Sequence, residues 1–498
     1  MRKQQRSIIL ENVLVEDYAA EGKSLARVDG KVVFIENTVP GDVVDVQLVR
    51  SKKDWAEGYP LQFRKYSKER VPAFCAHFGV CGGCQWQMLP YEKQLFYKQK
   101  QVNDNLTRIA KVELPPLLPI IGAEVTRQYR NKLEYTFANK KFIPKGEYTR
   151  SKDQVSAVEI KITDHPAEVK IMDYQGEADV ADHPGFAGFH AKGVFDKVVE
   201  INTCHLQAEP TNEIRNEIAR FGLEHHFSFY DIKLHHGLLR NVIVRMATTG
   251  ELMVNIILAC KEEENQTMLL DFVMKRFPQI TTLLYTINTK FNDTILDLHP
   301  QIYQGKGFII ENLEDFKFKI SPKSFFQTNT LQAEKLYGIV RNFAELTGIE
   351  TVYDLYCGTG SIGIFVSKQA KKVIGVEMVP EAIEDAKVNA AFNNILHSVF
   401  IAGDVVDVCT DDFFTEHGKP DVVITDPPRA GMQDKLVKKL LEIAAPIIVY
   451  VSCNPATQAR DIALLDEKYR VIKIQPLDMF PHTLHIENVM QLKLRSNN

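Results

Sequence analysis

Two tryptophans and eight cysteines are few for 498 residues. Eight cysteines in so long a chain do not make a disulfide scaffold. No run of about 18 apolar residues occurs, which excludes a transmembrane helix. The start, MRKQQRSIIL, is basic, but its apolar run stops at Leu10 before Glu11. A secretory signal needs an apolar core of roughly 7–15 residues, so the cytoplasm is the expected compartment. Low-complexity tracts and fixed-period repeats are missing too. Hydrophobic residues make up 45% and charged residues 25%. These globular values exclude a wholly disordered, collagenous or fibrous chain. At roughly 150 residues per domain, the length predicts about three domains.

The net charge of −4 argues, taken alone, against a nucleic-acid partner. Its distribution says otherwise. Residues 1–150 hold 25 Lys+Arg against 17 Asp+Glu, a net +8, and the remainder carries −12. Such asymmetry points to an anionic partner for the front of the molecule. Arg50, Lys52, Lys53 and Trp55, followed by Arg64, Lys65, Lys68 and Arg70, put cations beside aromatics. That mixture suits phosphates and stacked bases; the plain alternative is a solvated charge run. Arg127, Arg130, Asn131 and Lys132 form a second basic patch.

Residues 8–64 read as about five short strands with turns at Asp29-Gly30 and Pro40-Gly41-Asp42, which predicts a small β-barrel of the OB type. A loop-like stretch, 66–90, holds three cysteines, and 91–111 has helical periodicity. Residues 125–315 alternate strand-like runs with turns, as in a mixed, largely antiparallel domain; 140–190, rich in charge, Gly and Pro, reads as an excursion or long hairpin. From 330 the pattern becomes strand-then-helix, with apolar strands at 351–356, 372–377, 398–402, 421–425 and 446–452. This predicts a doubly wound parallel sheet, closed by two antiparallel strands at 469–476 and 487–495. The expected domains are 1–66, 67–325 and 326–498.

The first of those strands runs into glycines 358, 360 and 363, which allow a ligand close to the backbone. G-T-G-S-I-G satisfies a dinucleotide fingerprint. Asp354, just upstream, fits a different ligand better: it can pair with an ammonium, such as the amino acid end of S-adenosylmethionine. Glu377 ends the second strand, where an acid accepts bonds from both ribose hydroxyls. Asp404 ends the third, beside an adenine edge. T-D-P-P-R-A-G (425–431) and V-Y-V-S-C-N-P-A-T (449–457) end the fourth and fifth. Cys453 therefore stands where a nucleophile faces a substrate beside the cofactor, although a lone Cys is more often a small buried apolar residue. His482, His485 and Glu487 lie within six residues, and a nucleophile with a methyl donor still needs a base.

D-L-Y-C-G-T-G, D-P-P-R-A-G, V-S-C-N-P-A-T and F-P-H-T-x-H-x-E, in this order, resemble the RNA (uracil-5-)-methyltransferase family, and within it the 23S ribosomal RNA branch. Ser324–Asn329 (SFFQTN) resembles that family's F-x-Q-x-N segment. The resemblance covers nearly the whole chain. It implies a class I (Rossmann-like) α/β methyltransferase core, an N-terminal TRAM-like RNA-binding barrel and a central α+β domain. It implies cofactor contacts from Gln327, Tyr356, Ser361, Glu377, Asp404 and Asp426, with Cys453 as nucleophile and Glu487 as base. Phe325 stands where the family places a residue near the target base.

Cys75, Cys81 and Cys84 are spaced so that their thiolates converge on a metal or cluster. His77 is near as a fourth ligand, and the distant Cys204 is the better candidate. Spacing alone leaves zinc and iron–sulfur open; the resemblance implies a [4Fe–4S] cluster on these four cysteines. The expected partner is RNA, bound by a monomer, with no membrane. Among rivals, an amino-methyltransferase favours an aromatic where Arg429 stands. A cytosine-5 enzyme is expected to carry a cysteine in D-P-P-R-A-G, which has none. Transfer RNA remains an alternative substrate, and a non-catalytic RNA-binding assembly factor a further one.

Overall fold

The computed structural model describes residues 8–19, 22–143, 185–191 and 193–496. Most of the excursion expected at 140–190 lies outside them.

The front of the chain builds a six-stranded sheet from β1 (Ile9–Leu14), β2 (Asp17–Tyr18), β3 (Ser24–Val28), β4 (Lys31–Ile35), β5 (Val43–Ser51) and β6 (Trp55–Lys65), in the order β1-β5-β6-β4-β3-β2. Ala26, Val33, Ile35, Val44 and Val46 alternate inward to form its core, as the period-2 pattern requires. Three register shifts between β5 and β6 bend the long strand so that it also pairs in parallel with β4.

Two of the cations expected on the RNA face are consumed here. Arg70 is buried and pairs with buried Asp42 at 2.7 Å, and Arg64 pairs with Asp45 at 2.6 Å. Asp42 closes the Pro40-Gly41-Asp42 turn by accepting the Val39 and Ser67 N–H groups. A carboxylate held out of water needs a cation beside it.

Helix α1 (Tyr91–Asn105) continues into a π-helical turn, Leu106–Ala110. Its inner face buries Gln94, Tyr97, Lys98 and Val102, two polar residues among four. The central sheet joins β7 (Lys132–Ala138), β8 (Phe186–His190), β9 (Val198–Glu200), β10 (Leu239–Met246), β11 (Leu252–Leu258), β12 (Thr282–Ile287) and β13 (Gln301–Gln304), antiparallel except for β11–β12. Helices α2 (Thr211–Glu224) and α3 (Glu263–Arg276) pack on it through Ile214, Ile218, Phe221, Leu269 and Val273.

A hairpin, β14 (Ile309–Leu313) and β15 (Phe316–Ile320), leads to α4 (Thr330–Ala344), whose N-cap Asn329 accepts the Gln332 N–H. Then come β16 (Thr351–Leu355), α5 (Ser361–Val366), β17 (Lys372–Glu377), α6 (Pro380–Phe392), β18 (Ser398–Ala402), α7 (Val405–Val408), α8 (Asp411–His417), β19 (Val422–Thr425), α9 (Asp434–Ile443), β20 (Ile447–Ser452), α10 (Pro455–Leu465), β21 (Tyr469–Leu477) and β22 (Glu487–Leu494). The sheet order is β18-β17-β16-β19-β20-β22-β21. Its first five strands are parallel, and β22 enters antiparallel between β20 and β21. Apolar clusters cover both faces, which explains the near-continuous hydrophobic strands. The order reverses between β16 and β19, the switch point where such sheets bind ligands.

Candidate active site

The carboxyl edge of the sheet gathers the motif residues by register alone. Leu355 lies beside Val376 and Thr425, so Tyr356 and Asp426 follow at neighbouring strand ends. Glu377 pairs with Ala402, and its carbonyl accepts the Gly403 N–H at 2.9 Å. The Glu377 carboxylate accepts N–H groups from Gly358 (3.2 Å) and Val379 (3.0 Å). Asp404 caps α7 by accepting the Val406 N–H at 2.8 Å. Tyr356 is held at φ +62°, a left-handed conformation that costs a bulky residue energy and marks a constrained position. The Ser361 hydroxyl meets Tyr337 Oη at 3.0 Å. Segment 324–329 closes over the glycine turn, where Thr359 Oγ1 donates to the Phe325 carbonyl at 3.4 Å. The Gln327 carbonyl accepts from Asn131 at 2.9 Å, and the Phe325 ring is exposed.

The antiparallel ladder brings Cys453 and Glu487 together. Ser452 pairs with Asn488, which leaves Cys453 and Glu487 beside the last pair of the ladder, near enough that the Glu487 charge acts on the thiol. Glu487 is buried; burial first, then Asp426, pushes its carboxyl well above the usual range, against Arg429. The Cys453 thiol is pushed up to about 11 by burial, then by Glu487 and Asp426, again opposed by Arg429. Asp426 is partly accessible yet crowded by protein, and that crowding lifts it to about 7. Asp354 also reaches about 7, chiefly through burial. One of its oxygens accepts the Gly363 N–H at 2.8 Å; Oδ1 has no hydrogen-bond partner among the described residues. These groups hold protons because burial withdraws the water that would stabilise their charges. An incoming cation would draw those protons off.

The 478–487 turn that presents Glu487 is gripped from three directions. Lys98, from α1, donates to Asp478 at 2.6 Å and to the Phe480 carbonyl at 3.1 Å, with both charged side chains fully buried. From α4, Gln332 and Asn329 donate to the carbonyls of Asp478 and Met479. Gln94 accepts the His482 N–H at 2.9 Å and touches its Nδ1 at 3.1 Å, and Phe74 meets the His482 ring edge-on at 5.0 Å. His482 is thus a packed element of the turn. Arg127 and Arg130 of the second basic patch lie over the Phe74 and Phe480 rings.

Cys75, Cys84 and Cys204 lie near enough to Cys81 to raise its thiol, Cys75 and Cys204 raise that of Cys84, and Cys75 raises that of Cys204. Burial is the larger cause, taking Cys81 to about 12 and Cys84 to about 11. His77 is set apart, its Nε2 accepting the Asn202 N–H at 3.3 Å. Among the described residues, no three His, Cys, Asp or Glu side chains close on a site for a single metal ion.

Two participants, Tyr337 and Lys98, went unread in the sequence, and the role of a third was missed. Tyr337 carried no motif. Arg429, whose charge opposes the shifts of Cys453 and Glu487, was read in the sequence only as the residue standing in place of an aromatic. Lys98 lies 380 residues from Asp478, and nothing in a helix pattern reports such a partner.

Removing one side of the Lys98–Asp478 pair leaves a buried charge alone, at a cost of about 3–5 kcal/mol. Lys98→Met should lower the thermal unfolding midpoint of the full chain and raise hydrogen exchange in 478–487. Lys98→Met combined with Asp478→Leu should recover most of the loss.

Comparison with known proteins agrees with this geometry. The family model for tRNA (uracil-5-)-methyltransferases matches residues 301–495, and the TRAM domain matches 10–61. An uncharacterized RNA methyltransferase of Bacteroides thetaiotaomicron is 50% identical, covering 96% of this chain and 100% of its own. Another, from Porphyromonas gingivalis, is 48% identical over 96% and 98%. The crystal structure of Pyrococcus abyssi tRNA (uracil-54, C5)-methyltransferase with S-adenosyl-L-homocysteine superposes at a TM-score of 0.70 and 28% identity, over 97% of this chain and 100% of that one. With the motif residues aligned on one sheet edge and relatives of this kind across its full length, the chain belongs to the uracil-5 family of S-adenosylmethionine-dependent RNA methyltransferases.

Proposed function

We propose that this chain methylates C5 of a uridine in 23S ribosomal RNA through a covalent adduct on Cys453. The observation that carries the reading is a thiol and a buried carboxylate brought near each other where the β20–β22 ladder ends, beside a pocket of proton-holding acids. Gln327, Tyr356, Ser361, Glu377, Asp404 and Asp426 would hold the cofactor. The unpartnered oxygen of Asp354 behind the glycine turn fits a cationic ligand there.

Uracil C5 is a poor nucleophile. Addition of the Cys453 thiolate to C6 makes an enolate and places electron density on C5. S-Adenosylmethionine supplies the methyl group from its sulfonium. Glu487 then takes the C5 proton, the electrons return to the ring, the C6–Sγ bond breaks, and 5-methyluridine leaves. A carboxyl with raised proton affinity is the stronger base once ionised. Arg429 favours the thiolate. The exposed Phe325 ring offers a surface for the base, which must leave its stack to reach the sulfur.

The four neighbouring thiols, a soft donor set, support a [4Fe–4S] cluster on Cys75, Cys81, Cys84 and Cys204. That loop and the TRAM module together support the ribosomal substrate. The full-length likeness to a tRNA enzyme favours a second reading, a transfer RNA uridine. Mapping 5-methyluridine in RNA from a deletion strain decides: loss from 23S ribosomal RNA is expected, and loss from transfer RNA alone would overturn it.

Cys453→Ala should abolish tritium release from 5-labelled uridine RNA, and Glu487→Gln should accumulate an RNA–protein adduct on denaturing gels. A Cys453→Ala protein that still methylates would sink the mechanism. Anaerobically purified protein should be brown, and a colourless protein with stoichiometric zinc would exclude the cluster.

The acids predict a pH dependence. Asp354 and Asp426 retain protons up to about 7, so cofactor binding should release protons. Affinity should fall as pH drops from about 8 to about 6, by up to tenfold per unit for each proton released. Calorimetry in buffers of different ionisation enthalpy reads that release, and a flat profile would contradict it. The unliganded fold slopes the other way. These acids ionise first in the unfolded chain, so their stabilisation is complete below about 4 and is lost as pH rises through about 7.

A further inference from the structure

The front basic run separates into two groups. Arg64 and Arg70 are paired with Asp45 and Asp42. Lys65 and Lys68 instead line a cavity of about 310 Å³ between the end of β6 and helix α1, with Gly41, Tyr66, Glu69 and Tyr97. Among the described residues neither lysine has a carboxylate within ion-pair reach. Glu69 is engaged by Lys93 and by Tyr97 Oη, so the cavity keeps two uncompensated positive charges. Tyr66 is braced by stacking on Phe63, with ring centroids 4.9 Å apart and an interplanar angle of 21°, and the Arg70 guanidinium lies 5.5 Å from its centroid. Pockets that take small ligands start at about 300 Å³, so one nucleotide is the right size of occupant.

The position relates this cavity to the chemistry. Tyr97 joins Tyr18, Trp86 and Leu89 in one apolar cluster, with Leu484 of the 478–487 turn packed against it. Gly22, in the connection between β2 and β3, lies so close to Leu484 that a Cβ there would overlap it. A strand crossing the cavity therefore runs one packed layer from the turn that presents Glu487.

We propose that this cavity binds one nucleotide of the substrate RNA outside the catalytic pocket, its phosphodiester held by Lys65 and Lys68 and its ribose and base against Tyr66. The proposal rests on RNA being the substrate. It does not depend on which uridine is methylated or on the covalent step. Phosphate contacts supply affinity without sequence, so this nucleotide sets the reach of the RNA from the front module to the thiol.

The test is fluorescence anisotropy with a labelled RNA that the wild-type chain binds, across a salt series. Lys65→Gln with Lys68→Gln should weaken RNA binding about tenfold at low salt and flatten the slope of log K against log salt by about one to two. S-Adenosylmethionine affinity serves as the folding control and should be retained. Lys435→Gln with Lys438→Gln removes equal charge from an exposed face of α9 and should weaken binding less than about threefold. Equal losses in both variants would reduce the effect to general charge, and no loss in the first would remove the site; either overturns the proposal. Because anisotropy needs no methyl transfer, failure here is distinct from failure of the C5 chemistry.

Discussion

A lysine and an aspartate from opposite ends of the chain meet out of water, and the catalytic edge is arranged around that meeting. Lys98 and Asp478 are both fully buried, an arrangement whose desolvation cost often equals its Coulombic gain. Its value here is geometric. Asp478 also accepts from Tyr91 and from the Phe480 N–H, so one carboxylate fixes the helix, the first residues of the turn and their mutual angle. An apolar pair of the same volume would fill the space without specifying that angle. Nine residues later the chain enters β22 at Glu487, and the direction of entry decides what that carboxylate faces.

What it faces is a site short of positive charge. Parallel strands end together, so an acid at each strand end gives Glu377, Asp404 and Asp426 in a row, with Asp354 beneath the glycine turn and Glu487 across the ladder. Water would ordinarily keep such carboxyls ionised. Burial removes that option, and Asp354, Asp426 and Glu487 hold their protons instead. Such a pocket is complementary to a cation, which supports the proposed methyl-donor site and accords with catalysis by fixed charges aimed at where charge will be. The same surroundings explain why the Cys453 thiol is raised; the proposed thiol ionisation and cofactor binding would share one electrostatic cause.

Much of this was legible in the sequence, for reasons that differ by residue. Strand ends could be read because apolar runs stop at Glu377, Asp404, Asp426 and Cys453, and a parallel sheet aligns such stops without further information. The closeness of Cys453 and Glu487 was legible as a motif but not as geometry, because it depends on β22 inserting between β20 and β21. The front cations show the opposite limit. Arg64, Lys65, Lys68 and Arg70 look alike in sequence, yet two are spent on carboxylates inside the fold. Which two depends on where Asp42 and Asp45 are buried, a tertiary fact. Lys98 was invisible for a related reason: a lysine on a charged helix reads as solvated until its partner is known.

The loop of Cys75, Cys81 and Cys84 then acquires a mechanical reading. Immediately after Cys84, the Gln85 and Trp86 N–H groups both donate to the His482 carbonyl, at 2.9 and 3.1 Å. Phe74, one residue before Cys75, packs against the same His482 ring. The loop is therefore bracketed at both ends by contacts with one residue of the catalytic turn, and His482 sits at φ +65°, a conformation that must be imposed by its surroundings. Whatever holds Cys75, Cys81, Cys84 and Cys204 together also holds those brackets in place. A loop of turns with no regular structure has little rigidity of its own, so tying its three sulfurs to that of Cys204 would stiffen the support under Glu487 from the side that α1 and α4 leave open.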